Sequence, residues 1–294
     1  MTPPQRTVVN NMLPGLIRSG WRTAHARDRA MLQNWLRDRE PYCVNLVSRL
    51  LKRGQVDPVP RRSHQLYVLS DGHHMQGAVL RVQGGLYLPL NAGAGDKRQL
   101  SRTLSGFRYY PHSVMGLERD VRVVTMALGV GITQRVEYDL MTRERPNEAQ
   151  EFPETAGRYT GLTIRLADKS DYEALLPLQR GYEQEEVLLP GKSLNQSVIA
   201  SNLRSMLAEQ LVVMAEFEGR VVAKANTNAR GIAYSQIGGV YTLPDYRGRG
   251  IGRAVVQRLV GLLRDQQMGS VLFVKRSNKS AHAVYEALGF TWLE

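Results

Sequence analysis

Between Tyr246 and Gly252 the chain runs Tyr-Arg-Gly-Arg-Gly-Ile-Gly, and the segments on either side fix what this loop can do. The preceding stretch, 233–243, is rich in Ile, Val and Tyr and reads as a strand. Pro244-Asp245 breaks it. Past the glycines, Ile251, Ala254, Val255, Leu259 and Leu262 recur at helical spacing, with Arg253, Gln257, Arg258 and Arg264 between them. The order is strand, glycine-rich loop, helix. At such a junction the first helical turn has free N–H groups and the positive end of the helix dipole. A diphosphate can sit there if no Cβ blocks its approach to the backbone. Gly248, Gly250 and Gly252 remove that obstacle. The dinucleotide pattern G-x-G-x-x-G is not met, because position 253 is Arg, and no Gly-Lys-Ser/Thr follows to make a P-loop.

Downstream, 270–274 reads as another strand, and Asn278 lies just after it. A short helix at 280–288 then carries Tyr285 in the pattern Asn278-x-x-Ala281-x-x-x-Tyr285-x-x-x-Gly289-Phe290. Taken with Arg247-x-x-Gly250-x-Gly252, this series resembles the acetyl-coenzyme A signature of the GNAT acyltransferase superfamily. The resemblance implies an α/β (α+β) fold with a mixed, mostly antiparallel sheet whose fourth and fifth strands splay apart. Backbone groups at Val240, Tyr241 and Thr242 would pair with the pantetheine arm in that gap. Arg247, Gly248, Arg249, Gly250, Ile251, Gly252 and Arg253 would hold the phosphates, Arg249 and Arg253 as the flanking cations. Lys275, Arg276 and Lys279 lie nearby along the chain and read mainly as solvated surface charges. Asn278 would hydrogen-bond the arm, and Tyr285 would both contact the cofactor and protonate the leaving thiolate, for which a phenol is chemically suited. The competing reading makes Tyr285 a half-buried core aromatic beside Ala281 and Leu288. The activity implied is N-acetyl transfer from acetyl-CoA directly to a small-molecule or protein amine in a ternary complex, with no metal and no acylated residue. A backbone N–H near Tyr241 would hold the oxyanion.

Direct attack by an amine calls for a base, and the candidates lie in Tyr182-Glu183-Gln184-Glu185-Glu186-Val187. The helix before them opens with an expected capping box, Ser170-x-x-Glu173. At about 100° per residue with Leu178 at zero, Ala174, Leu175 and Tyr182 form one apolar face. Glu185 falls at about −20°, inside that face, and Glu186 at about 80°, on its edge. Glu183, at about 140°, faces water. A carboxylate on a buried face is costly unless paired or working, so Glu185 ranks before Glu186. If instead the helix ends near Glu183, all three are solvated charges.

The 294 residues fit two domains. We expect a GNAT-like N-terminal domain without a cofactor site over 1–150 and a GNAT acetyltransferase domain over 160–294, joined by the polar, proline-containing stretch 144–154. The first half reads as helices at 28–38 and 42–52, strands at 65–69, 78–82 and 86–90, a helix at 97–104, a strand at 113–117, a helix at 118–128 and a strand at 134–141. The order echoes the second half, but its crossing at Leu117-Glu118 has no glycines and starts with an acid. Arg37-Asp38-Arg39-Glu40 before an apolar helix, with Glu185-Glu186-Val187, loosely resembles bacterial two-domain GNAT proteins. Family members usually continue into a final strand beyond Phe290, whereas this chain stops at Glu294. Either the sheet ends early or its last strand comes from elsewhere, for example a neighbouring subunit in a homodimer.

The net charge is +12, with 23 basic and 14 acidic residues in 1–159. That basic half could attract RNA, an anionic substrate or the phosphates of the cofactor. Its arginines are scattered and no aromatic-rich nucleic-acid motif appears, which argues against nucleic acid as partner. The alternative to an enzyme is an acyl-CoA-binding sensor whose basic half contacts a partner or nucleic acid. No apolar run approaches a membrane span, and Met1 to Trp21 lacks the apolar core of a secretory signal. Cys43 is the only cysteine, and these features together lead us to expect a cytoplasmic protein. His73-His74 has no partner at ligand spacing, so metal binding is not expected.

Overall fold

Amphipathic periodicity sets most element positions in the computed structural model, which describes residues 20–59, 64–105, 111–144 and 161–293. The expected linker past Glu144, Arg61-Arg62 and the first nineteen residues lie outside these. In chain order come β1 (Gly20–Thr23), α1 (Arg29–Arg37), α2 (Glu40–Leu50), β2 (Leu51–Lys52) and β3 (Gln55–Val56). Next are β4 (Gln65–Ser70), β5 (Met75–Val82), β6 (Leu86–Leu90), α3 (Lys97–Leu104), β7 (Ser113–Val114), α4 (Glu118–Leu128) and β8 (Tyr138–Arg143). The second half holds β9 (Leu162–Leu166), α5 (Tyr172–Tyr182), α6 (Gln196–Glu209), β10 (Val212–Phe217), β11 (Arg220–Arg230) and β12 (Tyr234–Thr242). It closes with α7 (Ile251–Asp265), β13 (Gly269–Lys275), α8 (Lys279–Glu286) and β14 (Thr291–Trp292).

These elements form two compact units. One contains the described residues up to Ala24 together with Gln65–Gly129; the other contains His25–His64 and the chain from Val130 onward. In the first unit the strand order is β1-β4-β5-β6-β7, antiparallel except for the β6–β7 pair. Trp21, Tyr67 and Tyr87 from its strands pack against Leu100 of α3 and Val124 of α4. The buried Asp120 carboxylate in the first turn of α4 accepts the amides of Asn91 at 2.9 Å and Ala92 at 2.8 Å.

The second unit is built on a seven-stranded sheet in the order β14-β8-β13-β12-β11-β10-β9. All its pairs are antiparallel except β12–β13. Val255, Val256, Leu259 and Leu263 of α7 bury against Ile237, Leu272 and Val274. Leu175 and Leu178 of α5 and Leu203 of α6 pack with Val212, Met214 and Tyr241. The helix α2 adds Val44 to a cluster with Leu140, Ala229 and Val271. Glu40, at the start of α2, accepts amides from Ile232 at 2.5 Å, Ala233 at 3.0 Å and Tyr234 at 3.3 Å, so a buried carboxylate holds the β11–β12 turn.

Three expectations change here. The helices near 28–38 and 42–52 and the strand near 134–141, set with the N-terminal half by sequence order, pack in the second unit instead. Strand β8 pairs with β13 from Ser270↔Arg143 to Lys275↔Tyr138, and its other edge takes β14 through Thr291↔Thr142 and Trp292↔Met141. The strand that completes this edge therefore comes from residues 138–143 of the same chain. Met141, fully buried, explains the placement: it enters the core shared by Leu272, Leu288 and Phe290. Finally, the cap before α5 is a reciprocal pair of Asp168 and Asp171, not Ser170 and Glu173. Asp168 accepts the Ser170 amide at 2.7 Å and Asp171 accepts the Asp168 amide at 2.9 Å, because a 3₁₀ turn over Lys169–Asp171 moves the start upstream. Arg165 fixes Asp171 with two bonds of 2.8 and 2.7 Å.

A fragment beginning at residue 161 lacks β8 and leaves the β13 edge and the Met141 site open. We expect it to be insoluble or unfolded even when residues 25–64 are fused to it, and to become soluble with native far-UV circular dichroism when residues 130–144 are supplied as a further fused peptide. A cooperatively folded fragment without that peptide would refute the inserted-strand account.

Candidate active site

Strands β12 and β13 are paired only from Tyr234↔Gly269 to Ile237↔Leu272, although β12 runs on to Thr242 and β13 to Lys275. The parting begins at a bulge. Asn226 of β11 faces Gly238 while Lys224 faces Tyr241, so two residues of β12, Gly239 and Val240, stand opposite Ala225 alone. Gly239 has φ +58°, and a Cβ there would overlap the Asn226 side-chain oxygen. Glycine is required on both counts. Past the bulge, the Leu243 amide donates to Val222 O at 2.9 Å across β11. The two-residue period of a strand then turns the Thr242 and Val240 amides to the other edge, toward the gap.

At the end of β12, Pro244–Tyr246 forms a 3₁₀ turn, and Gly248 (φ +73°) and Gly250 (φ +76°) carry the chain into α7 through left-handed backbone that a side chain would strain. No side chain caps the first turn of this 15-residue helix, so its leading amides face outward with the dipole behind them. Ile251 is buried and anchors the turn, while Gly252 lies against the Thr242 hydroxyl. The cations divide their work. The Arg249 guanidinium lies 5.3 Å from the Tyr246 ring centre, and Arg253 donates to Ala287 O at 3.4 Å, tying α7 to α8. Arg247 folds back, donating to Thr242 O at 2.9 Å and to Glu185 at 2.8 and 3.0 Å. Lys275 pairs with Glu186 at 3.1 Å, and Arg276 with Glu137 at 2.9 Å and Asp139 at 3.0 Å.

Tyr285 sits at the gap, buried, with its ring edge-on to Phe290 at 5.9 Å. Burial pushes its phenol up from the ordinary range, and Tyr182 and the Glu186 charge add to that. Asn278 caps α8: its Oδ1 accepts the Ala281 amide at 3.1 Å and its Nδ2 lies 3.4 Å from Glu186 Oε1.

The carboxylates are arranged differently from the helical projection. After Tyr182 the helix widens into a π turn over Glu183–Val187, closed by the Leu188 amide donating to Glu183 O at 2.7 Å. Residues in such a turn advance by less than 100°, so the projected positions of the three glutamates shift. Glu185, expected inside the apolar face, is exposed and held by Arg247 and the Tyr241 hydroxyl at 3.0 Å. Glu183, expected in water, is half-buried and accepts from the buried Gln179 side chain at 2.9 Å.

Sequence reasoning missed the group beneath the bulge. Lys224 is fully buried in the middle of β11. Its ammonium donates to Asn226 Oδ1 and to Gly239 O, both at 2.8 Å, and stands 5.3 Å from the Tyr182 ring centre. Burial pushes the Lys224 amine down to about 7, with the Glu183 charge opposing. Burial also pushes Tyr182 up to about 12, an effect that the facing Gly239 amide partly offsets. A lysine flanked by Val-Val-Ala and Ala-Asn within a strand, with Gly238-Gly239 in the strand that follows, is the signal that could have marked this cluster.

Comparison with known proteins gives the following. Residues 178–290 match the family described as Acetyltransferase (GNAT) family. No match appears among curated proteins. A Drosophila protein of solved structure is 13% identical with a TM-score of 0.62, over 94% of this chain and 96% of its own. A GNAT-family acetyltransferase from Colwellia psychrerythraea is 10% identical with a TM-score of 0.50, over 92% and 96%. A crystal structure with acetyl-CoA from Clostridium acetobutylicum, described as a predicted acetyltransferase, is 21% identical with a TM-score of 0.38, over 45% and 94%. The first two likenesses show a common fold along nearly the whole chain.

The lowered Lys224 amine has a consequence for stability. Its folded value lies below that of the unfolded chain, so between about pH 7 and 10 the unfolded state binds the extra proton. Stability contributed by this site therefore rises with pH across that window and is flat below it. Urea unfolding of wild type and Lys224→Met, compared from pH 6.5 to 9.5, should show wild type gaining on the order of a few kcal/mol relative to the variant. A constant difference would refute the buried-amine assignment.

Proposed function

From residues 178–290 as a GNAT acetyltransferase domain, we propose that the protein transfers the acetyl group of acetyl-CoA directly to an amine. The observation that carries this reading is the parting of β12 from β13 after Ile237↔Leu272, together with an uncapped glycine-led helix and the buried Tyr285. The gap supports a role as the slot for an extended arm that continues the strand hydrogen bonding. When bound, acetyl-CoA supplies an activated acyl carbonyl and a thiol leaving group.

The chain's own residues then have separable tasks. Amides at Gly250, Ile251, Gly252 and Arg253 would receive the diphosphate, with Arg249 and Arg253 as nearby cations. Gly248 keeps that approach open. The amides of Val240 and Thr242 and backbone groups of Tyr241 would pair with the arm, and the Asn278 Nδ2 would add a donor. Arg247 would act by fixing Glu185 and the end of β12, as its bonds to both favour. Tyr285, kept protonated by burial, would deliver a proton to the leaving sulfur. Glu183, Glu185 and Glu186 line the turn facing this region and would attract a cationic amine. Glu185 or Glu186 would take its proton directly or through water.

One observation favours the rival reading of a thioester-binding sensor: Glu185 and Glu186 are both ion-paired, to Arg247 and Lys275. Thiol release against a panel of amines separates the two, since a sensor binds acetyl-CoA without turnover. Calorimetry should detect acetyl-CoA binding that is weakened by Gly250→Val. Tyr285→Phe should lower kcat roughly 10²- to 10⁴-fold with little change in acetyl-CoA affinity. An unchanged kcat would remove Tyr285 from the chemistry.

A further inference from the structure

The peptide joining Gly239 to Val240 is gripped from one side and open on the other. Its carbonyl accepts from the Lys224 ammonium at 2.8 Å, on the β11 side. A trans peptide points its C=O and N–H in opposite directions, and the Gly239–Val240 peptide is trans. The Val240 N–H therefore projects away from Lys224, toward the gap between β12 and β13, as the strand period from Leu243 also requires. A cation bonded to the carbonyl end of an amide withdraws electron density from it and strengthens the N–H as a donor. Lys224 is itself held in place by Asn226 Oδ1 at 2.8 Å, and Asn226 is held by Asn228 Oδ1 at 2.9 Å. Burying an amine here is costly, and the hydrogen bonds fix it on one carbonyl.

Resting on acetyl-CoA as the ligand of this gap, we propose that Lys224 is a positioning residue for acyl transfer, which locks the β12 bulge and polarises the Gly239–Val240 peptide so that the Val240 N–H binds the thioester carbonyl oxygen. Lys224 touches neither substrate; it acts through Gly239. Its charge is set by few neighbours: Tyr182 and Glu183 from the α5 side, and Tyr241 on β12, whose hydroxyl is bound to Glu185, itself paired with Arg247. Deprotonation weakens the pull on the Gly239 carbonyl and with it the grip on the acyl oxygen.

The test is the infrared stretch of acetyl-CoA labelled with carbon-13 at the acyl carbonyl, bound to the full-length protein. We expect the band in wild type to lie below that of free acetyl-CoA at pH 6 and to move back toward it as pH rises to 9. In Lys224→Met the displacement should be lost at every pH, with acetyl-CoA affinity changed less than about fivefold. Lys224→Arg should retain the displacement without its pH dependence. A looser bulge alone would abolish the displacement but would not make the wild-type band titrate. The inference is overturned if the wild-type band ignores pH, or if Lys224→Met keeps the wild-type displacement; the first result decides even if the variants fail to fold. Absence of acetyl-CoA binding to wild type would instead overturn the transfer reading, and this inference with it.

Discussion

One extra residue in β12 governs the second unit. Up to Ile237 the strand is bonded on both edges; beyond the bulge at Gly239 it keeps β11 and loses β13. A sheet that parts in this way leaves backbone donors and acceptors unsatisfied in a partly buried place, which is tolerable only if something else pairs with them. The bulge survives because side chains on the α5 side hold it: Lys224 takes the Gly239 carbonyl and Asn226 fills the space a Cβ would need. Gly181 lets α5 come close enough to meet the Tyr241 hydroxyl. The freed end of β13 remains bonded to β8 along its other edge through Lys275.

Charge around the gap is mostly paired. Arg247–Glu185 and Lys275–Glu186 are half-exposed and contribute little stability individually, about 0–1 kcal/mol each. Their value lies in orientation, since they set the loop after α5 against the ends of β12 and β13. The buried amine is a different case. It contributes a local charge in a dry setting, where its effect on a neighbouring peptide is little screened. Surface pairs and buried amine thus answer to different variables, ionic strength for the first and pH for the second.

What could be read from the sequence follows the range over which each signal acts. The glycine-rich loop at 248–252, Asn278 after a strand and Tyr285 on a short helix are local patterns, and the structure places these elements where the pattern puts them. The ranking of Glu185 before Glu186, with Glu183 in water, assumed a regular helix, and a π turn, which shows no distinctive composition, shifts every later position around the axis. The partner of β8 was illegible for another reason: Tyr138–Arg143 has the look of any strand, and only long-range burial of Met141 decides which sheet it enters. Lys224 drew no reading from the sequence, because its role depends on meeting Gly239 and Tyr182 from separate elements. Glu40 was noticed only within a loose resemblance, yet it clamps the β11–β12 turn.

The inserted strand also imposes a timetable. Thr142 contacts Ser270 across 128 positions, so at about 5–20 residues per second a growing chain exposes β8 for roughly 6–26 seconds before its main partner has been translated. During that interval its backbone groups and Met141 are available to any other strand edge. Nascent-chain quality control therefore meets this protein at its most adhesive moment, with a strand already made and its slot still unwritten. High temperature or dense expression should penalise biogenesis well before it harms the finished molecule.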